Sequence, residues 1–443
     1  MTGLRAPSAA TPRSARRAAA AGAGVLLAVT AGCGGSGHKQ TTFSPKGSQA
    51  RDIANLINPV FIVAGVVFVL VLGGALALSL KFRAKDDEEF FSDDVSPKQV
   101  HGKANLEIGW TILPALILFA VSIPTVSTIF TLAKKAPPKS VHVEIIGQQW
   151  WWEYRYDTNG DGKYDDVTTA NELVIPEGEK VQLAITSRDV IHSYWIPALN
   201  GKKDAVPNHH SPLVIEADKV GHEREYVGQC TEFCGLSHAN MRMKAIAMPR
   251  DQFDKWVTNQ QKKAASGTFA KNDNSLAALG QQYFLGAKCA QCHVIDGVNN
   301  NNFVDTKITS ADFAESGSGS TTVKHTIKNG KSPSSTLQVS GAAPNLTHLM
   351  TRTTFAGALF DLRIDDGPGG YCTKLGVHWA DKPADQERCL NVPALKSWLR
   401  NPPGVKPMAP DPVPGRTGGR GMPNLNLSES QIDQVVAYLK TLK

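Results

Sequence analysis

Two stretches of this chain carry no charge at all: residues 60–80 (VFIVAGVVFVLVLGGALALSL) and residues 108–132, the second with Pro114 and Pro124 inside it. Each exceeds the roughly 18 apolar residues that mark a bilayer span. Two such runs in one chain argue against buried core helices. They predict a transmembrane hairpin over 56–135, with spans at about 60–80 and 108–132. Glu107 stands at the mouth of the second span, before Gly109-Trp110-Thr111. On position alone it is a solvated flank or a functional acid at a membrane edge.

Residues 1–33 hold Arg13, Arg16 and Arg17, an alanine-rich apolar run, and small residues up to Cys33. That order is a secretory signal. Thr30-Ala31-Gly32-Cys33 is close to a bacterial lipoprotein cleavage box, with Thr30 where Leu usually stands. Cys33 is therefore lipidated, or else free or cleaved away. Residues 34–55, rich in Gly, Ser, Thr and Lys, are expected to be a flexible linker. The Lys/Arg bias of the loop between the spans is too small to orient the hairpin, so the signal decides. An exported N-terminus followed by two spans puts everything after residue 133 outside a bacterial plasma membrane.

At 443 residues and 42% hydrophobic content the chain is long enough for two or three folded units. Its net charge of +7 is scattered, with no basic stripe interleaved with aromatics, which argues against nucleic acid as a partner. Seven cysteines are too few for a disulfide scaffold, and four of them fall in two tight pairs. After Pro137-Pro138 the pattern turns to period two: 141–146, 173–175, 181–185 and 213–215 are β-rich runs separated by turn residues. They predict a small β-sandwich or barrel over 140–255. Trp150, Trp151 and Trp152 on such a strand would alternate between core and rim.

Within that segment CTEFCGLSHANM spaces Cys230, Cys234, His238 and Met241 along one loop, and His192 lies upstream. Thiolate, imidazole and thioether together suit copper, whereas a zinc site would rarely recruit Met. A Cys230–Cys234 disulfide is the competing reading, but it gives His238 and Met241 no role. The sequence 157–162 (DTNGDG) opens like a calcium loop, yet its twelfth position is Thr168 instead of Glu, so a polar hairpin tip is expected.

On these motifs residues 50–255 resemble subunit II of cytochrome c oxidase, a two-helix hairpin followed by a cupredoxin-like β-sandwich. The resemblance implies a dinuclear copper A centre in which Cys230 and Cys234 bridge both ions. His192 and His238 would be terminal ligands, with Met241 and the backbone carbonyl of Glu232 as weak axial ligands. It implies a magnesium ion facing the Glu232 carboxylate, a proton-pathway entrance at Glu107, and electron entry at a surface tryptophan, Trp150. The family's DAVP motif is present at 204–207, but Asn208-His209 replaces the Gly-Arg that usually follows.

Residues 256–274 are polar and read as a linker, beginning in part as a helix. Cys289-Ala290-Gln291-Cys292-His293 is the C-x-x-C-H of covalent c-type haem attachment, with His293 placed as an iron ligand. Residues 275–443 resemble class I cytochrome c, an all-α domain whose sixth ligand is usually Met. Met422, followed by Pro423 and an amphipathic helix, fits that layout best; Met408 competes, and Met350 is more distant. His348, after Pro344-Asn345-Leu346, is expected to be structural. Cys372 and Cys389, in an insertion at about 355–392 with no His or Met at ligand spacing, are expected to form a disulfide.

The expected protein is thus a multidomain oxidase subunit II fused to its own cytochrome c. It would pass electrons from haem c through copper A to the oxygen-reducing centre of subunit I, coupled to proton pumping, with subunit III as a further partner. Its donor would be a quinol-oxidising cytochrome complex or a soluble cytochrome c. The alternatives are a membrane-anchored copper and haem shuttle, or a nitrous oxide or nitric oxide reductase component; the former of those reductases would need a His-rich copper cluster that twelve scattered His do not supply.

Overall fold

The computed structural model describes residues 40–83, 102–264, 269–270, 272–286, 288–298, 343–364, 366–367, 370–374, 383–408 and 420–443. The signal segment and Cys33 lie outside the described residues. Two apolar helices come first, α1 (Ser48–Lys81) and α2 (Ala104–Leu132), of mean hydropathy 2.8 and 2.1 in their most apolar windows. None of the residues in those windows is buried by protein, as expected of surfaces that face lipid.

Helix α1 starts well before its apolar run, inside the stretch expected to be a linker. Thirty-four residues span about 51 Å, more than the roughly 30 Å of a bilayer core. The first turns of α1 are fastened to the sandwich instead. Lys46 N donates to Ala198 O at 2.7 Å, Asp218 N to Lys46 O at 2.7 Å, and Ser48 Oγ to Glu216 at 2.5 Å, while Arg51 pairs with Asp218 at 2.5 Å. The polar residues that read as solvated linker are used as hydrogen-bonding partners.

The sandwich contains β1 (His142–Gln148), β2 (Trp151–Asp157), β3 (Val167–Ala170), β4 (Glu172–Pro176), β5 (Val181–Ser187), β6 (His192–Tyr194), β7 (Lys203–Ala205), β8 (Ser211–Ile215), β9 (Arg224–Gln229) and β10 (Arg242–Met248). One sheet runs β3-β2-β1-β5-β8 and faces another ordered β4-β10-β9, with β6 and β7 as a separate hairpin. Strands β1 and β5 are parallel, as are β4 and β10. Side chains from both sheets, among them Trp152, Tyr154, Leu173, Leu183 and Ile246, form one core. Helix α3 (Arg250–Gln260) lays Phe253, Trp256 and Val257 onto that core, so the start of the second expected linker belongs to the sandwich. The 157–166 loop is a self-bonded hairpin tip: Asp157 accepts from Gly160 N and Gly162 N, and Asp166 accepts from Thr158 N and Asn159 N.

The C-terminal module packs α4 (Leu276–Gly286), α5 (Val392–Arg400) and α6 (Glu429–Leu439) around Phe284, Leu395, Ile432, Val436 and Tyr438. A Cβ on Gly280 would collide with Gln434 O, so glycine there sets how closely α4 and α6 cross. Ser428 and Gln431 close a capping box on α6. The module is not purely helical. A small antiparallel hairpin, β11 (Thr354–Phe355) and β12 (Phe360–Asp361), stands where the insertion was expected to begin, and Phe355 and Leu362 enter the module core.

Candidate metal centre

The loop 230–241 joins β9 to β10, and Cys230 N donates to Met241 O at 2.9 Å, closing its two ends. His192 opens β6 and is fully buried. Gly147 in β1 makes room for it, because a Cβ there would lie 2.9 Å from the His192 ring. The donor atoms converge. Cys230 Sγ is 3.9 Å from Cys234 Sγ, too far for a disulfide, and 3.9 Å from His192 Nδ1. Cys234 Sγ is 3.6 Å from His238 Nδ1 and 3.7 Å from Met241 Sδ, and Glu232 O is 3.2 Å from Cys230 Sγ.

The six residues named from the sequence therefore form one linked cluster, with His192, Cys230 and Cys234 mutually close at its centre, and two thiols between two imidazoles form a donor set that suits copper. The thiol pair shares a proton. The bond from Cys234 pulls Cys230 down to about 4, and Cys234 is pushed up in return. A metal arriving there displaces that proton.

The C-x-x-C-H motif forms a 3-10 turn, with His293 N donating to Cys289 O at 2.9 Å. Cys289 and Cys292 are unpaired and half-buried, and burial pushes the Cys289 thiol up to about 11. His293 Nδ1 donates to Pro344 O at 2.8 Å, which makes Nε2 the basic nitrogen. Burial lowers the His293 pKa and keeps the ring neutral, as a ligand must be. Tyr283, Leu346, Leu425 and Met422 are half-buried apolar side chains that pack, like Cys289 and Ala290 of the motif, against the module core. His348 instead donates from Nε2 to Lys262 O at 2.9 Å, tying the module to the chain that leads into it.

The family described as cytochrome C oxidase subunit II, periplasmic domain, matches residues 141–247, and its transmembrane domain matches 38–128. Cytochrome c oxidase subunit 2 of Alkalihalophilus pseudofirmus is 36% identical over 262 residues, covering 58% of this chain and 71% of that protein. That of Bacillus sp. strain PS3 is 30% identical over 372 residues, covering 82% of this chain and 80% of that protein. This chain belongs to the cytochrome c oxidase subunit II family. It is a subunit of a haem-copper terminal oxidase and an oxidoreductase, anchored by two membrane-spanning helices with its later domains outside. The family implies a copper A site. A quinol oxidase subunit 2, from Bacillus cereus, is 28% identical and covers 54% of this chain and 79% of that protein.

In this subunit II, Trp150 is not a surface residue: it is 4% exposed. Its Nε1 donates to Cys234 O at 3.0 Å, and Lys406 Nζ of the C-terminal module donates to its carbonyl at 2.7 Å. Trp151 and Trp152 are buried too, so the expected alternation of core and rim fails because β2 is covered on both faces. Glu107 lies in the first turn of α2 and is exposed, far along the chain from the sulfur cluster. Cys372 and Cys389 are joined by a disulfide. Met422 packs at the edge of the module core, whereas Met408 packs against the sandwich core and Met350 is buried within the module.

Sequence reasoning missed Asp189. Its Oδ1 bonds His192 Nε2 at 2.9 Å and its Oδ2 accepts from Gln149 N at 2.8 Å. Burial, the largest single influence, would depress His192, but the bonds and charges of Asp189 and Cys230 together outweigh it and the net shift is upward; Asp189 itself is lowered by His192 and by backbone donors against its own burial. A carboxylate on the far nitrogen of a ligating imidazole fixes its orientation and basicity. Asp189→Ala is expected to weaken copper retention by about 10–100-fold in competition with a chelator. Unchanged retention would show that His192 is oriented by packing alone. The signal available in sequence was the Asp-x-x-His spacing of 189–192.

Proposed function

We propose that this subunit II carries electrons outside the membrane from a covalently attached haem c, through dinuclear copper A, to the oxygen-reducing centre of subunit I in a proton-pumping cytochrome c oxidase. The observation that carries the reading is the convergence of the Cys230 and Cys234 sulfurs with Nδ1 of both His192 and His238. A copper pair held there would supply one-electron chemistry with little reorganisation, since two ions share the charge. Cys289, Cys292 and His293 would hold the haem, with Met422 as its sixth ligand.

The chain's own surfaces support a direction of flow. On one side of the sulfur cluster Phe233, Leu236 and Ile191 are 77%, 62% and 46% exposed, and the Phe233 ring lies 5.6 Å from that of His238. Such a patch fits an apolar partner surface, here subunit I, with the exposed Glu232 carboxylate available to a magnesium ion between them. The C-terminal module stands against Trp150, which itself donates to Cys234 O. The match to the Bacillus PS3 protein supports that module as part of the subunit, because 82% of this chain cannot fit within the residues that precede it. Glu107 would open a proton pathway at the inner face, subunit III would complete the assembly, and a quinol-oxidising complex or soluble cytochrome c would supply electrons. The setting is a bacterial plasma membrane, with a lipid anchor on Cys33.

The test is the assembled complex purified with this chain intact. Metal analysis should find copper together with covalent haem, and a near-infrared copper band should bleach on reduction. Met422→Leu should remove the sulfur-to-iron absorption of the haem while Met408→Leu leaves it in place. Covalent haem without copper, after growth with ample copper, would overturn the copper reading. Copper without covalent haem would leave an ordinary subunit II with an unassigned module.

A further inference from the structure

Several of the contacts between the C-terminal module and the sandwich lie beside the copper loop. The turn of the β11–β12 hairpin, Ala356-Gly357-Ala358, runs entirely at positive φ (54°, 78° and 55°). Its tip meets the chain just after the ligand loop: Arg242 N donates to Gly357 O at 3.1 Å. A Cβ on Gly357 would collide with Lys406 Nζ and lie 2.9 Å from Trp150 O, so only glycine lets the tip approach this closely. Lys406 is 3% exposed, and its ammonium donates to Trp150 O at 2.7 Å and Ala356 O at 3.0 Å, joining the two domains.

Two further ties flank this one. Glu172 of β4 is buried, and its Oε1 accepts from N and Oγ1 of both Thr353 and Thr354 at 2.6–2.8 Å, at the root of the hairpin. Arg420 Nε donates to Gln149 Oε1 at 3.2 Å, and Gln149 Nε2 donates to Cys234 O at 2.6 Å. Arg420 precedes Met422 by two residues, so one side-chain amide links the segment bearing Met422 to a sulfur ligand's backbone. Buried, mutually satisfied polar contacts of this kind fix one arrangement.

We propose that the hairpin 354–361, Lys406 and Arg420 form a latch that holds the C-terminal module in one fixed pose over Trp150 and closes that face of the copper site to outside donors. The inference rests on the haem and copper reading above and deepens it. With haem and copper bound, the C-terminal module would take one electron from a soluble donor and pass it to the copper site, with no atom or proton transferred. The module is thus a mandatory entry point, and not a mobile donor that merely raises local concentration. Lys406 and Arg420 act as positioning residues.

The test uses the full complex. Hydroxyl-radical labelling read by mass spectrometry should find Trp150 protected in the native chain. Lys406→Met, which removes two buried hydrogen bonds, or Gly357→Val, which forces the tip away, should raise its labelling about tenfold. Rapid mixing with a reduced soluble cytochrome c should show haem c reduced before the near-infrared band bleaches. The internal step should be indifferent to ionic strength in the native chain and become salt-dependent in the variants. Ready labelling of native Trp150, or copper bleaching ahead of haem, would overturn the latch. These native-chain readouts decide even if the variants fail to assemble. Labelling needs neither cofactor, so absence of haem or copper counts against the underlying reading and leaves the latch separately decided.

Discussion

Cys230→Ser is expected to strip the copper site and strand electrons in the C-terminal module. Cys230 sits where both halves of the cluster meet: its sulfur approaches Cys234 Sγ, His192 Nδ1 and Glu232 O. Serine keeps the shape but offers a hard oxygen that does not ionise near neutral pH, whereas the Cys230 thiol is already pulled down to about 4. Loss of an outer partner of a metal ligand costs about 10–100-fold, so loss of this ligand should leave oxidase turnover below about a hundredth of native. The checks are the near-infrared band, which should vanish, and the haem c absorbance on mixing with a reductant. The haem should still reduce at its native rate and then fail to reoxidise. Reoxidation by oxygen at the native rate would mean that electrons bypass the sulfur cluster. The variant is informative because the C-terminal core is built separately from the sandwich core, so haem attachment should survive.

What could be read in the sequence follows from how local each feature is. The loop 230–241 compresses four side-chain donors into twelve residues, and the two apolar runs need no tertiary context, so both are visible in the primary structure. Gln149, Lys406 and Arg420 were invisible for the opposite reason. Each is an ordinary polar residue whose partner is set by the fold: Gln149 meets Cys234 across 85 positions, Lys406 meets Trp150 across 256, and Arg420 meets Gln149 across 271. The linker at 34–55 was misread because composition cannot tell a solvated Ser or Arg from one bonded to Glu216 or Asp218. The family resemblance places Trp150 at the surface; here Lys406 and the tip of the β11–β12 hairpin, more than two hundred residues later and in or beyond a stretch that reads as an insertion, reach its carbonyl.

Glu153→Gln is expected to destabilise the sandwich strongly at neutral pH, and progressively less as pH falls. Glu153 on β2 is 6% exposed. It accepts two bonds from Arg188, each 2.7 Å, and one from Arg155 at 2.5 Å. Burial alone would raise its pKa, but Arg155 and Arg188 overcome this and hold it at about 2. The folded value therefore lies below the unfolded one. Such a group contributes stability that is fully present above the ordinary glutamate range and is lost as pH falls through that range toward about 2. A carboxyl at about 2 in place of 4.5 contributes about 3 kcal/mol at pH 7. Glutamine keeps the oxygen but leaves two guanidinium groups facing a neutral amide. The unfolding midpoint of the sandwich should drop by about 6–12 °C at pH 7, with the gap to the native chain narrowing below about pH 4.5. A gap that stays constant down to pH 3 would mean that the carboxylate is not held low in the fold. The consequence reaches the copper site, because Arg188 is followed directly by Asp189, which orients His192. Acid that releases Glu153 also loosens the backbone carrying Asp189, so copper loss and sandwich unfolding should share one acid transition.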